Sequence, residues 1–303
     1  KRIEAKRLLR DRVSRGGKNK RRMLESDYLH CLKTEAKIRS AKELPEFKEL
    51  KGHTKSIFCL KTTEDGTLVS GSGDGTVRVW SLESDEPSVL LLSDSILDMQ
   101  IKEDTFYFRG ASNQVHIWER NNEGEAASFC PGFVFSCFQV LGDLIYYGSG
   151  SGSIEIFDIN SNKSITSLKS GRGVSVTSLF ACDRVYAGFS DGTLQAFDIE
   201  AGRVIQNFVG HMDMIKSFSV LEDRRIYSGS YDGTICTWDF RSNLPVSVIY
   251  CEDHISCLDV IDHKIGSGSW DGLIRNYDAR SSRLLKILEH TICVMSLHSN
   301  EGR

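Results

Sequence analysis

Three residue types that together can move a proton recur in this 303-residue chain at one spacing. His53, Ser70 and Asp74 form one set, and His211, Ser228 and Asp232 repeat it with the same intervals. In a hydrolase such a trio turns the hydroxyl into a nucleophile, with the imidazole as base and the carboxylate orienting it. Here each trio leads to an indole, Trp80 or Trp238, and the trio recurs, whereas an active site is built once. No Gly-x-Ser-x-Gly elbow between a strand and a helix accompanies either Ser. The trios therefore read as structural ties. The stretch Gly148-Ser149-Gly150-Ser151-Gly152 has the glycine density of a phosphate-cradling loop. It lacks the following helix and the Lys that phosphate binding uses, and it aligns with hairpin turns elsewhere in the chain. Asp94, Asp98, Glu103 and Asp104 have no calcium-loop spacing. Nine cysteines with no Cys-x-x-Cys support neither a disulfide framework nor a zinc site. They read as small buried hydrophobes in a reducing compartment. The expectation is a non-enzymatic protein with no catalytic residue, metal, cofactor or small-molecule substrate.

The elements that carry these residues are repeated. Six copies of a glycine-rich turn run into a short strand that ends on an aromatic, from SGSGDGTVRVW (70–80) to SGSWDGLIRNYD (267–278). The closing aromatics Trp80, Trp118, Phe157, Phe197, Trp238 and Tyr277 lie 38 to 41 residues apart. A period near 40 with strand–turn–strand units predicts four-stranded sheets set around an axis, a β-propeller. Asp-Gly turns such as Asp74-Gly75 supply the positive φ of tight hairpins. Strands rich in Val, Ile, Phe and Tyr flank them, with only four prolines in the whole chain.

Charge divides the chain in two. Residues 1–50 hold sixteen Lys/Arg against eight Asp/Glu, and the remainder twenty-two against thirty-three. A basic arm precedes an acidic body, and the body lacks the clustered cations of a phosphate footprint. Within the arm, 1–13 and 21–39 have amphipathic helical spacing, Gly16-Gly17 separates them and Pro45 ends them. The domains expected are a basic helical extension over 1–45 and a propeller over 46–303. Lys18, Lys20, Arg21 and Arg22 form a candidate nuclear-import signal, which places the protein in the cytoplasm, the nucleus or both. RNA contact through the arm and a plain helical linker are the other readings. The longest apolar run, 89–92, is too short for a membrane span. No secretory leader opens the sequence, so the sequon at Asn162 reads as chance.

These residues resemble the WD-repeat family over 46–303. In that family a Gly-His, a Ser or Thr, the turn Asp and a Trp make a hydrogen-bonded tetrad inside each blade. The resemblance implies one tetrad from His53, Ser70, Asp74 and Trp80, and another from His211, Ser228, Asp232 and Trp238. The other repeats depart: the fourth keeps Asp191 without a His, the sixth keeps Asp271 with Tyr277 for Trp, and the second and third lose the turn Asp. Family members close their ring with a strand that precedes the first repeat, here 46–50. A seventh repeat begins at Glu289-His290 with a first strand over 293–297, so seven blades are expected, the last incomplete in a fragment of a longer protein.

The family's top-face positions, carried over, give Phe58, Leu97, Met214, Lys216, Tyr231, His254, Trp270 and Met295 as partner-binding residues. Met214, Tyr231, Trp270, Met295 and Phe58 are expected to form one aromatic and thioether surface, the composition of interface centres. A lone Lys216 with no Arg disfavours a phosphopeptide reader. The function expected is a scaffold or adaptor that docks a protein or peptide on this face. The alternatives are the substrate-recognition subunit of an F-box/WD-repeat-like ubiquitin ligase, and an RNA-associated factor acting through the arm.

Overall fold

The computed structural model describes residues 50–298, apart from 82–86, 121–126, 162, 222–224, 262 and 291. The basic arm, its expected helices and Lys18, Lys20, Arg21 and Arg22 lie outside the described residues. So does most of the expected strand over 46–50, of which only Leu50 is described, outside any strand.

Six antiparallel four-stranded sheets follow one another, each with its strands paired in chain order. They are blade 1 (57–91), blade 2 (96–129), blade 3 (135–169), blade 4 (176–209), blade 5 (215–250) and blade 6 (255–289). All described elements are strands. No helix among the described residues is long and apolar enough to cross a membrane. Five apolar clusters fill the five interfaces between consecutive blades. Between blades 4 and 5, for example, Tyr186, Leu194 and Phe208 meet Ile215, Ile226 and Trp238. Each sheet therefore buries its apolar side chains against the next sheet rather than against a separate layer.

The innermost strands begin at Ile57, Ile96, Phe135, Val176, Ile215 and Ile255. Each slips register after its first residue, which leaves Phe58, Leu97, Ser136, Thr177, Lys216 and Ser256 in a bulge. A bulge takes its residue out of the ladder and re-aims the side chain. In three blades that side chain is a hydroxyl tied to the segment that packs next along the ring. Ser136 Oγ donates to the Val176 carbonyl, Thr177 Oγ1 to the Ile215 carbonyl at 2.6 Å, and Ser256 Oγ to the Val294 carbonyl.

The leading residues Ile96, Val176, Ile215 and Ile255 each seat on a glycine of the preceding blade. A Cβ on Gly229 would lie 2.5 Å from Ile255 Cγ2, so only glycine admits that approach. Blade 2 breaks the pattern with Arg109. Its Nη2 donates to the Phe135 carbonyl at 2.8 Å, and its guanidinium lies 5.2 Å from the Phe135 ring centroid.

Two features differ from the seven-blade expectation. Six complete blades are present among the described residues, and 293–297 is not a strand. Val294 nonetheless occupies the leading-residue seat on blade 6: its amide donates to the Ser269 carbonyl at 3.1 Å. A Cβ on Gly268 would lie 2.6 Å from Val294 Cγ1. No second strand lies beside 293–297 among the described residues, so its backbone has no ladder to join. At the other end Ile57 is 38% exposed, whereas its counterparts Ile96, Phe135, Val176, Ile215 and Ile255 are 0–1% exposed. The innermost strands are in close contact in sequence from blade 1 to blade 6, and no comparable contact joins blade 6 back to blade 1.

Candidate functional site

The two His/Ser/Asp/Trp sets are closed hydrogen-bond networks. In blade 1, His53 Nδ1 lies 3.0 Å from Asp74 Oδ2 and Nε2 lies 2.8 Å from Ser70 Oγ. Trp80 Nε1–H donates to the same Ser70 Oγ at 2.8 Å. In blade 5 the corresponding distances are 3.2 Å for His211 to Asp232, 2.7 Å for His211 to Ser228 and 2.7 Å for Trp238 to Ser228. Each Ser hydroxyl is held by the indole as well as the imidazole, and neither Ser faces open space: Ser70 is 1% and Ser228 0% exposed. A nucleophile needs access to a substrate carbonyl, and these have none.

Charge in the networks is held by hydrogen bonds. Burial pushes the Asp74 carboxyl up, but hydrogen bonds from Thr76, the Thr54 amide and His53 outweigh it and hold the group well below the usual carboxylate range. For His211, burial opposes protonation, but the Cys236 sulfur and the Asp232 carboxylate outweigh it and raise the imidazole to about 10. A histidine raised in the folded state stabilises fully below its unfolded pKa, near 6.5, and loses that contribution as pH rises through its folded value. The stability gap between the parent and His211→Gln, measured by urea denaturation, is therefore expected to be widest at pH 6 and to shrink by pH 10. A gap independent of pH would show that His211 is neutral throughout.

The remaining blades replace the network with other pairs, which the motif alone did not predict. In blade 6, Arg275 is fully buried and makes two bonds to Asp271, Nη1 to Oδ1 at 3.2 Å and Nη2 to Oδ2 at 2.7 Å. It stands where Cys236 stands in blade 5, and its guanidinium supplies what the imidazole supplies there. In blade 2 the carboxylate moves from the hairpin to the loop before the blade. Asp94 Oδ2 accepts from the Ser112 amide at 3.0 Å and from its hydroxyl, and lies 4.0 Å from His116 Nε2. In blade 3, Ser149 Oγ contacts the hydroxyls of Ser151 at 2.8 Å and Ser153 at 2.9 Å, and Ser153 donates to Glu155 at 2.7 Å. These serines of the glycine-rich stretch bond to one another within the hairpin turn. In blade 4, Asp191 pairs with Arg172 at 2.7 Å. A search of each repeat for any acid–base pair bridging the hairpin would have found Arg275 four residues after Asp271.

At one end of the blades the loop before each sheet meets the hairpin. The Tyr231 amide donates to the Met214 carbonyl at 3.0 Å, and the Trp270 amide to the His254 carbonyl at 3.1 Å. These bonds bring three rings of blades 5 and 6 together. The Tyr231 and His254 centroids are 5.1 Å apart, Tyr231 and Trp270 5.3 Å, and His254 and Trp270 5.1 Å. The last two pairs are edge-to-face, the favoured geometry of aromatic contacts. Trp270 remains 43% exposed. Met214 borders the cluster through its backbone, and the Cys293 sulfur lies 3.8 Å from Met295 Sδ. Phe58 packs over Gly73 in blade 1. Among the described residues no ring contact joins Phe58 to the cluster, and Leu97 sits half-buried in blade 2. Lys216 is exposed, and its ammonium lies near enough to Asp98 and Cys137 of blades 2 and 3 to favour their ionised forms against burial.

No disulfide joins the described cysteines. Burial pushes Cys137 to about 12 and Cys257 to about 11, which keeps both as packing thiols. Among the described residues no group of three or more His, Cys, Asp or Glu is placed to hold a metal ion.

Residues 45–81 and 202–239, the two stretches that carry complete networks, match the family described as WD domain, G-beta repeat. Those two stretches are WD repeats, set in a β-propeller. Apoptotic protease-activating factor 1 of Danio rerio is 23% identical over 218 residues, 68% of this chain and 17% of that protein. The ribosome biogenesis protein WDR12 homolog of Arabidopsis thaliana is 24% identical over 223 residues, 70% of this chain and 48% of that protein. The WD-repeat chain thus spans half or less of the length of these curated relatives. Among solved structures, the RRP9 WD40 repeats superpose with a TM-score of 0.71 at 20% identity, covering 82% of this chain and 84% of theirs. The structure of U3-55K gives a TM-score of 0.71 at 20% identity, with 82% and 86% covered. WD-repeat propellers are in general non-enzymatic interaction folds, and this one shares their architecture.

Proposed function

We propose that this WD-repeat propeller is a scaffold that docks a protein or peptide partner on the face carrying Tyr231, His254 and Trp270. The observation that carries the reading is the exposed Trp270 set edge-to-face on two further rings, contributed by adjacent blades. Large, ordered aromatics with solvent access supply most of the energy at interface centres. Purification of the protein from cells with Trp270→Ala is expected to weaken the principal partner by about 2 kcal/mol, roughly thirtyfold, without change in melting temperature. Lys216→Ala should change it less, since a lone exposed charge acts mainly on association rate. Full affinity in both Trp270→Ala and Tyr231→Ala would sink the reading.

A second reading, RNA association through the basic arm, is favoured by the charge of residues 1–50 and by the ribosome-biogenesis name of one relative. Partners that vanish on nuclease treatment but survive Trp270→Ala would select it. The proposed location is cytoplasmic or nuclear, with Lys18, Lys20, Arg21 and Arg22 as the import signal. We further propose a seven-bladed ring: Ile57 is exposed where its counterparts are covered, and Val294 already occupies the next seat.

A further inference from the structure

We propose, building on the top-face reading, that the rim of Tyr231, His254 and Trp270 captures an arginine side chain of the partner. The groups presented there are acceptors. His254 Nδ1 faces the Tyr231 carbonyl, which can only accept, so Nδ1 carries the proton and donates. With Nδ1 donating, Nε2 is the ring's one nitrogen with a lone pair to offer, and it makes no hydrogen bond among the described residues. Asp213 is exposed, and its Oδ1 accepts from the Met214 amide at 2.7 Å. The same carboxylate lies close enough to Tyr231 to add to the effect of burial in raising its hydroxyl pKa. Tyr231 therefore stays a neutral phenol beside a fixed anion.

The two loops that bear these groups, 210–214 and 251–254, hold three carboxylates and no Lys or Arg. The imidazole of His211 in the first loop is buried against Asp232 inside blade 5, and Lys216 lies near enough to Asp98 of blade 2 to favour its ionisation. An exposed indole face, an imidazole acceptor and a carboxylate match one side chain better than any other. A guanidinium is planar, stacks on aromatic faces and carries five N–H donors with no acceptor. An acidic or phosphorylated segment would meet like charge, and an apolar side chain would leave the acceptors unused.

The test uses the ¹⁵N-labelled protein titrated with N-acetyl-argininamide, with the neutral isostere N-acetyl-citrullinamide alongside. The readout is the Trp270 indole N–H signal, assigned by its loss in Trp270→Phe. Argininamide is expected to shift that signal saturably, and citrullinamide to bind about fivefold or more weakly. Asp213→Asn, an exposed isosteric change, should weaken argininamide by a similar factor, and raised salt should do so too. Absence of a saturable shift, equal shifts from both amides, or a parental response in Asp213→Asn would each overturn the inference. So would preference for N-acetyl-lysinamide, N-acetyl-glutamamide or N-acetyl-leucinamide. If Trp270→Ala releases the cellular partner while argininamide leaves Trp270 unmoved, the docking face stands and the arginine inference alone falls.

Discussion

Asp271→Ala is expected to destabilise the propeller by about 3–5 kcal/mol, because it leaves a buried guanidinium without its counter-ion. The Arg275 side chain is 0% exposed and that of Asp271 11%, with a closest N–O distance of 2.7 Å. Asp271 also accepts the Leu273 amide at 2.9 Å, so the same substitution frees a hairpin donor. Replacing both partners by Asp271→Ala with Arg275→Met should recover much of the loss, since a buried pair exchanged for apolar volume is often near neutral. Guanidinium denaturation of the parent, the two single variants and the double variant closes the cycle. A single Asp271→Ala variant within about 1 kcal/mol of the parent would mean that water reaches Arg275.

Ile215→Ala and Ile57→Ala, chemically the same change at equivalent positions, are expected to differ several-fold in cost. Ile215 is 0% exposed against blade 4, and removing its side chain opens a cavity worth about 2–5 kcal/mol. Ile57 is 38% exposed, so less area leaves the core and solvent fills the space; about 1 kcal/mol or less is expected. Melting temperature and denaturant midpoint read both. Equal costs in this chain would show that blade 1 is already covered. In a longer protein that completes a seventh blade, the Ile57 cost should rise to meet that of Ile215.

How much of this was legible before the fold depended on the distance over which a residue acts. The hairpin turns, the strand periods and the two full networks could be read, because Gly, Asp, His, Ser and Trp recur at one spacing and each does a local task. The Asp94–Ser112 tie could not, because in blade 2 the acid has moved to the preceding loop and only the sheet shows that it reaches the hairpin. The Asp271–Arg275 bridge is only four residues long, but it departs from the motif and is found only by looking for any acid–base pair. The expected ring of aromatics was resolved in the same way. Tyr231, His254 and Trp270 meet because blades 5 and 6 are packed neighbours. Phe58 stays apart: it packs over Gly73 of its own blade, and among the described residues no ring contact joins it to blades 5 and 6.

The repeat period and the turn chemistry determined, from sequence alone, that four-stranded blades form and where each begins. Both are short-range constraints, satisfied within about forty residues. Only the tertiary structure decided how many blades are complete among the described residues, which leading residue seats on which glycine, and which rings share a face. Those outcomes rest on contacts between blades, where a glycine admits a neighbour's isoleucine and a bulge re-aims a side chain. Such contacts join residues about one repeat or more apart, and no spacing within a single repeat encodes them.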